Sequence, residues 1–200
     1  EMQRSLVGSE MCIRDRTITM HHGEHLIDGK LDLTNLTCDR TTGSQKDVYI
    51  CKAGENVYTP TFTYHGFQYV WIRGLRPEQA TEDALTYLVM HTQLPVRGGF
   101  RCSDEMVNRI HEASMRSTLS TFVHFPTDCP QREKNGWTAD AALSAEHTLL
   151  YFAPERCYHE WLRNIRGSQA PDGSLPGIVP TAGWGFAWGN GPAWDCVLFW

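Results

Sequence analysis

The sequence predicts an α+β fold in which a strand-rich region precedes a helical region. Between residues 17 and 97, apolar or aromatic residues alternate with polar ones, and a period of two is typical of strands. From Gly98 onward, apolar residues recur every three to four positions, which is typical of helices. We therefore predict a complete or partial β-sandwich over residues 17–97 and a helical domain over residues 98–200.

The strand-rich region contains β-branched and aromatic residues in alternation, with Gly and Asp at the breaks. The predicted strands are 17–20, 46–50, 61–65, 67–72 and 83–94. Asp28-Gly29 is a turn signal, because these two residue types tolerate positive φ. Gly66 interrupts the alternation and indicates a bulge.

The helical region contains three predicted helices and the start of a fourth. Ser103 is the predicted N-cap of the first helix, Thr138 that of the second (139–152), and Pro154 lies in the first turn of the third. The apolar or small positions of the first and third helices are Met106, Ile110, Ala113 and Ser117, then Tyr158, Trp161, Leu162 and Ile165. A Gly- and Pro-rich loop follows, and a further helix is predicted near Trp194.

Charge and cysteine content exclude several classes of function. The 18 basic and 23 acidic residues give a net charge of −5 without a basic run, so we predict no nucleic-acid partner. Apolar runs are too short to span a membrane, and no membrane partner is predicted. Seven irregularly spaced cysteines favour reduced thiols and a cytoplasmic setting over a disulfide framework. The spacing of Cys and His matches no zinc pattern, so we predict neither metal nor cofactor.

The first 16 residues stand apart from this organisation. The stretch SLVGSEMCIRDR (residues 5–16) resembles a peptide that arises when sequencing-adaptor DNA is translated into a gene model. We therefore predict that residues 1–16 are non-native or unstructured. Genomic DNA that encodes these residues in the same frame would contradict that origin.

The densest group of chemically active side chains is the stretch from Thr127 to Asp140. It holds three carboxylates, an arginine and a tryptophan, and Pro130 and Gly136 favour a loop. Paired carboxylates in different environments cleave glycosidic bonds, and an aromatic ring suits the apolar face of a sugar. Acidic residues before a helix also serve as caps and as partners of the helix dipole. The residue types alone leave both interpretations open.

Three motifs resemble those of a known family. The run DCPQREKNGWTAD (residues 128–140) resembles the catalytic-loop signature of the bacterial α-L-rhamnosidases of glycoside hydrolase family 78. The runs YTPTFTYHGFQYV (58–70) and GPAWD (191–195) resemble segments before and after it, and the three occur in the family's order. The resemblance implies that residues 98–200 begin an (α/α)6 barrel, which about 100 residues cannot close, and that apolar helix faces remain exposed.

The resemblance also assigns roles to individual residues. It implies that Glu133 is the general acid, and the apolar ring of Trp137 beside a carboxylic acid would favour its protonated form. Asp128 and Asp140 match aspartates that accept hydrogen bonds from sugar hydroxyls. Arg132 matches an arginine that orients a carboxylate or a hydroxyl.

Two tryptophans complete the implied pocket, in which Trp137 stacks against rhamnose and Trp194 lines the wall. Arg132 and Trp137 also have a plain structural interpretation, as an ion-pair partner and as a core residue. This chain departs from relatives that carry an Asp-Glu pair after the arginine, because it has Glu133 alone. That difference shortens the spacing between Asp128 and Glu133 by one residue.

The implied activity is the inverting hydrolysis of terminal α-L-rhamnose from rhamnose-containing glycosides or oligosaccharides. An inverting enzyme needs a second carboxylate to activate water, and in the family this glutamate lies far downstream in the barrel. We therefore expect the 200-residue chain alone to be inactive. The alternatives are a related hydrolase with another sugar specificity and a non-catalytic carbohydrate-binding protein. A complete barrel with a second glutamate in the gene would favour the enzyme.

Overall fold

The computed structural model describes residues 2–12, 14–36, 45–181 and 185–187, with the backbone alone in 2–12. The chain forms two compact units. The strand unit contains Glu1–Met90 together with Pro130–Glu133, and the helical unit contains His91–Cys129 and Lys134–Trp200. The division falls between Met90 and His91, whereas the predicted domain boundary falls between residues 97 and 98.

The strand unit consists of antiparallel strands. They are β1 (Met2–Cys12), β2 (Thr17–Gly23), β3 (His25–Ile27), β4 (Lys30–Asp32), β5 (Lys46–Ile50), β6 (Gly54–Tyr58), β7 (Tyr69–Arg73) and β8 (Leu85–Val89). One sheet has the order β6-β1-β8 and a second has the order β5-β2-β7, while β3 and β4 form a separate hairpin.

The core of the strand unit lies between the two sheets. Alternation along β2 buries Ile18, Met20 and His22 on one face, as the period of two predicts. Tyr58 of β6 and Leu85 of β8 pack against this cluster from the other sheet. Each fully buried aliphatic side chain contributes about 1.5–3 kcal/mol, so this shared layer holds the sheets together.

Some of the predicted strands are confirmed and others are wrong. Residues 17–20 and 46–50 are strands, and Asp28 and Gly29 form the β3–β4 turn with φ of 50° and 73°. The predicted strand 61–65 is wrong, because Phe62 has a φ of 60° and is fully exposed. Residues 83–94 contain only the short strand β8.

The first residues also differ from the prediction. Met2–Cys12 forms a strand that pairs with β6 and β8, so this segment is not unstructured. Backbone hydrogen bonding to two neighbours allows a sequence with little alternation to adopt a strand. The non-native origin of residues 1–16 stays a prediction.

The helical unit contains α1 (Glu105–Thr121), α2 (Thr138–Tyr151) and α3 (Glu155–Gly167), with a short hairpin of β9 (Phe122–Val123) and β10 (Phe125–Pro126) after α1. The N-cap of α1 is Asp104 rather than Ser103, because the Asp104 carboxylate accepts from the amides of the first turn. The N-cap of α2 is Trp137 rather than Thr138. The α+β class, strands followed by three helices, is confirmed.

The helical unit has its own core. Trp161, Ile165 and Phe122 are at most 1% exposed, and Tyr158 is buried beside them, which confirms the predicted apolar positions of α3. The predicted apolar stripe of α1 is not buried in the same way, since Met106 is 61% exposed. Among the described residues, no helix combines the length and the apolar character needed to cross a membrane. The predicted helix near Trp194 lies outside the described residues.

Candidate active site

The carboxylate-rich loop is closed at its base by Asp128. The Asp128 Oδ1 atom accepts a hydrogen bond from the amide of Asn135 (2.9 Å), and the Asp128 amide donates to the Asn135 carbonyl (3.0 Å). The thiol of the buried Cys129 donates to Oδ2 of the same carboxylate (2.7 Å). A carboxylate offers about four lone-pair sites. Asp128 therefore shapes the loop.

The segment 136–138, directly after the loop, pairs with the segment 177–179. The Val179 amide donates to the Gly136 carbonyl (2.9 Å), and the Thr138 amide donates to the Gly177 carbonyl (3.0 Å). Between these bonds, Trp137 and Ile178 form an antiparallel bridge. The backbone of Trp137 is thus fixed on both sides immediately before α2 begins.

Two residues make this pairing specific. A Cβ atom at Gly136 would overlap the carbonyl oxygen of Val179, so only glycine allows the two backbones to approach this closely. The same oxygen accepts a hydrogen bond from Nε1 of Trp161 (2.9 Å) in α3. The buried indole therefore links the core of the helical unit to the segment that holds Trp137.

The structure distributes the predicted site residues over the two units. Glu133, half-buried, and Arg132, exposed, lie in the Pro130–Glu133 turn, which belongs to the strand unit. Asp128 and Trp137, both half-buried, and the exposed Asp140 belong to the helical unit. Trp194 lies outside the described residues. The roles of these residues in binding and catalysis stay predictions.

Asp140 and Asp128 each occupy a position where a carboxylate also stabilises the fold. Asp140 lies in the first turn of α2, where a negative charge interacts favourably with the helix dipole. Asp128 closes the loop. The two interpretations that the sequence left open are therefore compatible at these two positions.

Two side chains on α2 and α3 have shifted pKa values. Burial lowers the pKa of His147, whose Nε2 atom is 2.6 Å from the Thr118 hydroxyl. Burial raises the pKa of Tyr158 to about 12. These two residues of α2 and α3 support the helix packing.

Sequence reasoning missed the residues that contact the turn Pro130–Glu133 within the strand unit. Gln131 Nε2 donates to Glu24 Oε2 (3.2 Å), and Gly66 packs against Pro130. Gly66 lies in a motif that the sequence singled out, but a separation of more than sixty residues gives no signal of contact. Glu24 carries no sequence signal at all.

Comparison with known proteins gives the same order of domains. Residues 10–91 match the bacterial alpha-L-rhamnosidase concanavalin-like domain, and residues 95–200 match the bacterial alpha-L-rhamnosidase 6 hairpin glycosidase domain. An alpha-L-rhamnosidase of Streptomyces avermitilis is 33% identical over 182 residues, which is 86% of this chain and 17% of that protein.

Solved structures agree with these matches. The alpha-L-rhamnosidase from Dictyoglumus thermophilum has a TM-score of 0.85 and 35% identity over 98% of this chain and 22% of its own. The Streptomyces avermitilis enzyme complexed with L-rhamnose has a TM-score of 0.81 and 31% identity over 94% of this chain and 18% of its own. The chain thus spans about a fifth of the length of these relatives. With both domain matches in the same order, the chain belongs to the bacterial α-L-rhamnosidase family.

Proposed function

We propose that the complete protein hydrolyses terminal non-reducing α-L-rhamnose residues of glycosides by an inverting mechanism with two carboxylates. The observation that carries the proposal is the match of residues 95–200 to the glycosidase domain. It is supported by a relative with 31% identity whose structure holds L-rhamnose. The turn with Glu133 and the segment with Trp137 lie inside that match.

In the proposed reaction, Glu133 protonates the glycosidic oxygen as the bond to the anomeric carbon breaks. Positive charge then develops on the sugar ring as in an oxocarbenium ion. Water adds to the anomeric carbon from the opposite face, and a second carboxylate takes its proton. We place this base in the part of the barrel beyond the chain, at about 6.5–9.5 Å from the acid, as inversion requires.

The other predicted residues bind the sugar in this proposal. Trp137 presents an indole face to the apolar side of rhamnose, and its backbone is fixed by Ile178. Asp128 and Asp140 accept hydrogen bonds from ring hydroxyls. The Arg132 guanidinium is exposed and donates to a hydroxyl or orients a carboxylate.

The experiment compares Glu133→Gln with the native residue in the protein expressed from the complete reading frame. A general acid contributes about 10²–10⁴-fold to the rate, so kcat on an alkyl α-L-rhamnoside should fall by that factor. On a dinitrophenyl α-L-rhamnoside the loss should be much smaller, because this leaving group departs without protonation. Glu55→Gln, at an exposed position of β6 in the strand unit, is the matched control and should leave both rates unchanged.

Each outcome distinguishes between the candidate functions. Equal losses on both substrates would contradict the acid role of Glu133. Turnover of another glycoside but not of rhamnosides would indicate a relative with different specificity. Rhamnose binding without any turnover would indicate a non-catalytic carbohydrate-binding protein. The first product should be the β-anomer by NMR, and we expect no turnover from the 200-residue chain alone.

A further inference from the structure

The turn that carries the proposed general acid is part of the strand unit. Pro130 lies against Gly66, where a Cβ atom would come within 2.8 Å of the Pro130 Cγ and 3.0 Å of its carbonyl carbon. A proline ring and a backbone carbon cannot swing aside as the end of a flexible side chain can. The next residue, Gln131, donates from Nε2 to Glu24 Oε2 at 3.2 Å. Two consecutive residues of the turn are thus held by the strand unit.

The loop that contains Gly66 is itself fixed by hydrogen bonds. Nε2 of Gln45 donates to the Gly66 carbonyl (2.6 Å), and the Tyr87 hydroxyl donates to the Phe67 carbonyl (3.2 Å). Gln45 is 4% exposed and Phe67 is also 4% exposed. Since buried polar groups with complete hydrogen bonding rigidify their surroundings, this loop is a firm support for Pro130.

His65, next to Gly66, is bound to two further buried side chains. Its Nδ1 atom is 3.0 Å from Gln45 Oε1, and its Nε2 atom is 3.0 Å from Asp47 Oδ2. The Gln45 amide donates its Nε2 hydrogen to the Gly66 carbonyl, so Oε1 is the acceptor and His65 Nδ1 carries a proton. The His65–Asp47 contact joins two buried side chains, and breaking it would leave buried polar atoms without this partner.

The same cluster could in principle hold a metal ion, since ligand atoms of His22, Asp47 and His65 lie within 4.8 Å of one another. The two imidazole rings are, however, stacked at 4.0 Å with an interplanar angle of 13°. An ion in the plane of one ring would lie well outside the plane of the other. A hydrogen bond between His65 Nε2 and Asp47 Oδ2 fits this geometry better than a metal.

We propose that Gly66 and Glu24 are positioning residues for Glu133, and that the buried cluster of His65, Gln45 and Asp47 supports them. The proposal rests on the proposed function of Glu133 as general acid. The strand unit holds Pro130 and Gln131 at a fixed place, and Glu133 follows two residues after Gln131. A displacement of about 1 Å at a catalytic group can reduce the rate about 100-fold, so this support matters for turnover.

The first test measures the position of the turn without any substrate. Gly66→Ala should increase the rate of tryptic cleavage after Arg132 about tenfold relative to cleavage after the exposed Arg101. Gly99→Ala is the control, because nothing lies within 4 Å of a Cβ atom there. Equal relative cleavage in native protein and Gly66→Ala would overturn the proposal.

The second test measures turnover in the protein from the complete reading frame. Glu24→Ala should lower kcat on an alkyl α-L-rhamnoside about tenfold with KM within twofold, since the acid rather than the binding surface moves. Glu24→Gln should restore kcat, because its amide oxygen still accepts from Gln131. Glu55→Ala, at an exposed position of β6, is the control for the loss of a glutamate.

The outcomes separate this inference from the proposed function. If the native protein hydrolyses rhamnosides and Glu24→Ala and Gly66→Ala retain full kcat, the positioning role is wrong. If the native protein does not hydrolyse rhamnosides, the proposed function fails, and the cleavage ratio at Arg132 still decides whether Gly66 holds the turn. A kcat loss that Glu24→Gln does not rescue would overturn the role of the hydrogen bond to Gln131.

Discussion

Replacement of Trp161 by phenylalanine tests the link between the helical core and the segment that holds Trp137. Trp161 is 1% exposed, and its Nε1 atom donates to the carbonyl of Val179, which is itself fully buried. Phenylalanine keeps most of the apolar ring but has no donor. The substitution therefore removes one hydrogen bond and a small part of the packing.

The expected loss in the free energy of unfolding is the sum of two contributions. A buried carbonyl that loses its donor costs about 1–3 kcal/mol. The smaller ring leaves roughly 40 Å³ of unfilled space, which costs about 1 kcal/mol at ~24 cal/mol per Å³. Together, Trp161→Phe should lower the free energy of unfolding by about 2–4 kcal/mol, a large share of the ~5–15 kcal/mol typical of a domain.

Urea unfolding followed by circular dichroism at 222 nm is the appropriate assay, because α1, α2 and α3 all lie in the helical unit. With a slope of about 2 kcal/mol per M, the midpoint should fall by about 1–2 M. Trp71→Phe is the matched control, since Trp71 is 45% exposed and contacts Arg73 through a cation–π interaction. A decrease in the urea midpoint of Trp161→Phe that is no larger than the decrease in Trp71→Phe would refute the reasoning.

Three further predictions concern single positions. Gly136→Ala should destabilise the helical unit more than Gly99→Ala in the same urea assay, because its Cβ atom would overlap a backbone oxygen. Phe62→Asn should raise the melting temperature slightly whereas Phe62→Ala should not, since Asn tolerates a φ of 60° better than other non-glycine residues. Burial lowers the pKa of His147 below that of the unfolded chain, so its contribution is complete above about pH 6.5 and declines as the pH falls through the folded pKa. The loss of melting temperature between pH 7.5 and 5 should therefore be smaller in His147→Gln, and an unchanged loss would contradict this.

Periodic and local signals predicted much of the fold. The strand at residues 46–50 and the apolar face of α3 follow from periods of two and 3.6, which depend only on which side of an element is buried. The turn at Asp28-Gly29 follows from local backbone preferences. The resemblance of residues 128–140 to a catalytic loop identified the family that the domain matches confirm.

Signals that depend on distant partners were absent from the sequence. Alternation at residues 61–65 predicted a strand, but Phe62 adopts a positive φ, and within this segment His65 forms no more than an isolated β-bridge. Conversely, Met2–Cys12 forms a strand because β6 and β8 pair with it, although its own pattern is weak. The N-cap of α1 differs by one residue from the prediction, because the neighbouring polar residues Ser103 and Asp104 are nearly equivalent caps until the backbone is placed.

How far a carboxylate supports a catalytic function depends on whether its position also has a structural explanation. Asp128 closes the loop with Asn135, and Asp140 lies in the first turn of α2, so a structural reason alone would account for an acid at either position. Glu133 is different, because it precedes the N-cap Trp137 by four residues, where neither capping nor the helix dipole calls for a carboxylate. The turn around it contacts Glu24 and Gly66. Substitution of Asp128 or Asp140 would therefore disturb the fold as well as the proposed binding role, whereas Glu133 is the position at which we expect a change in rate to report on the proposed acid chemistry.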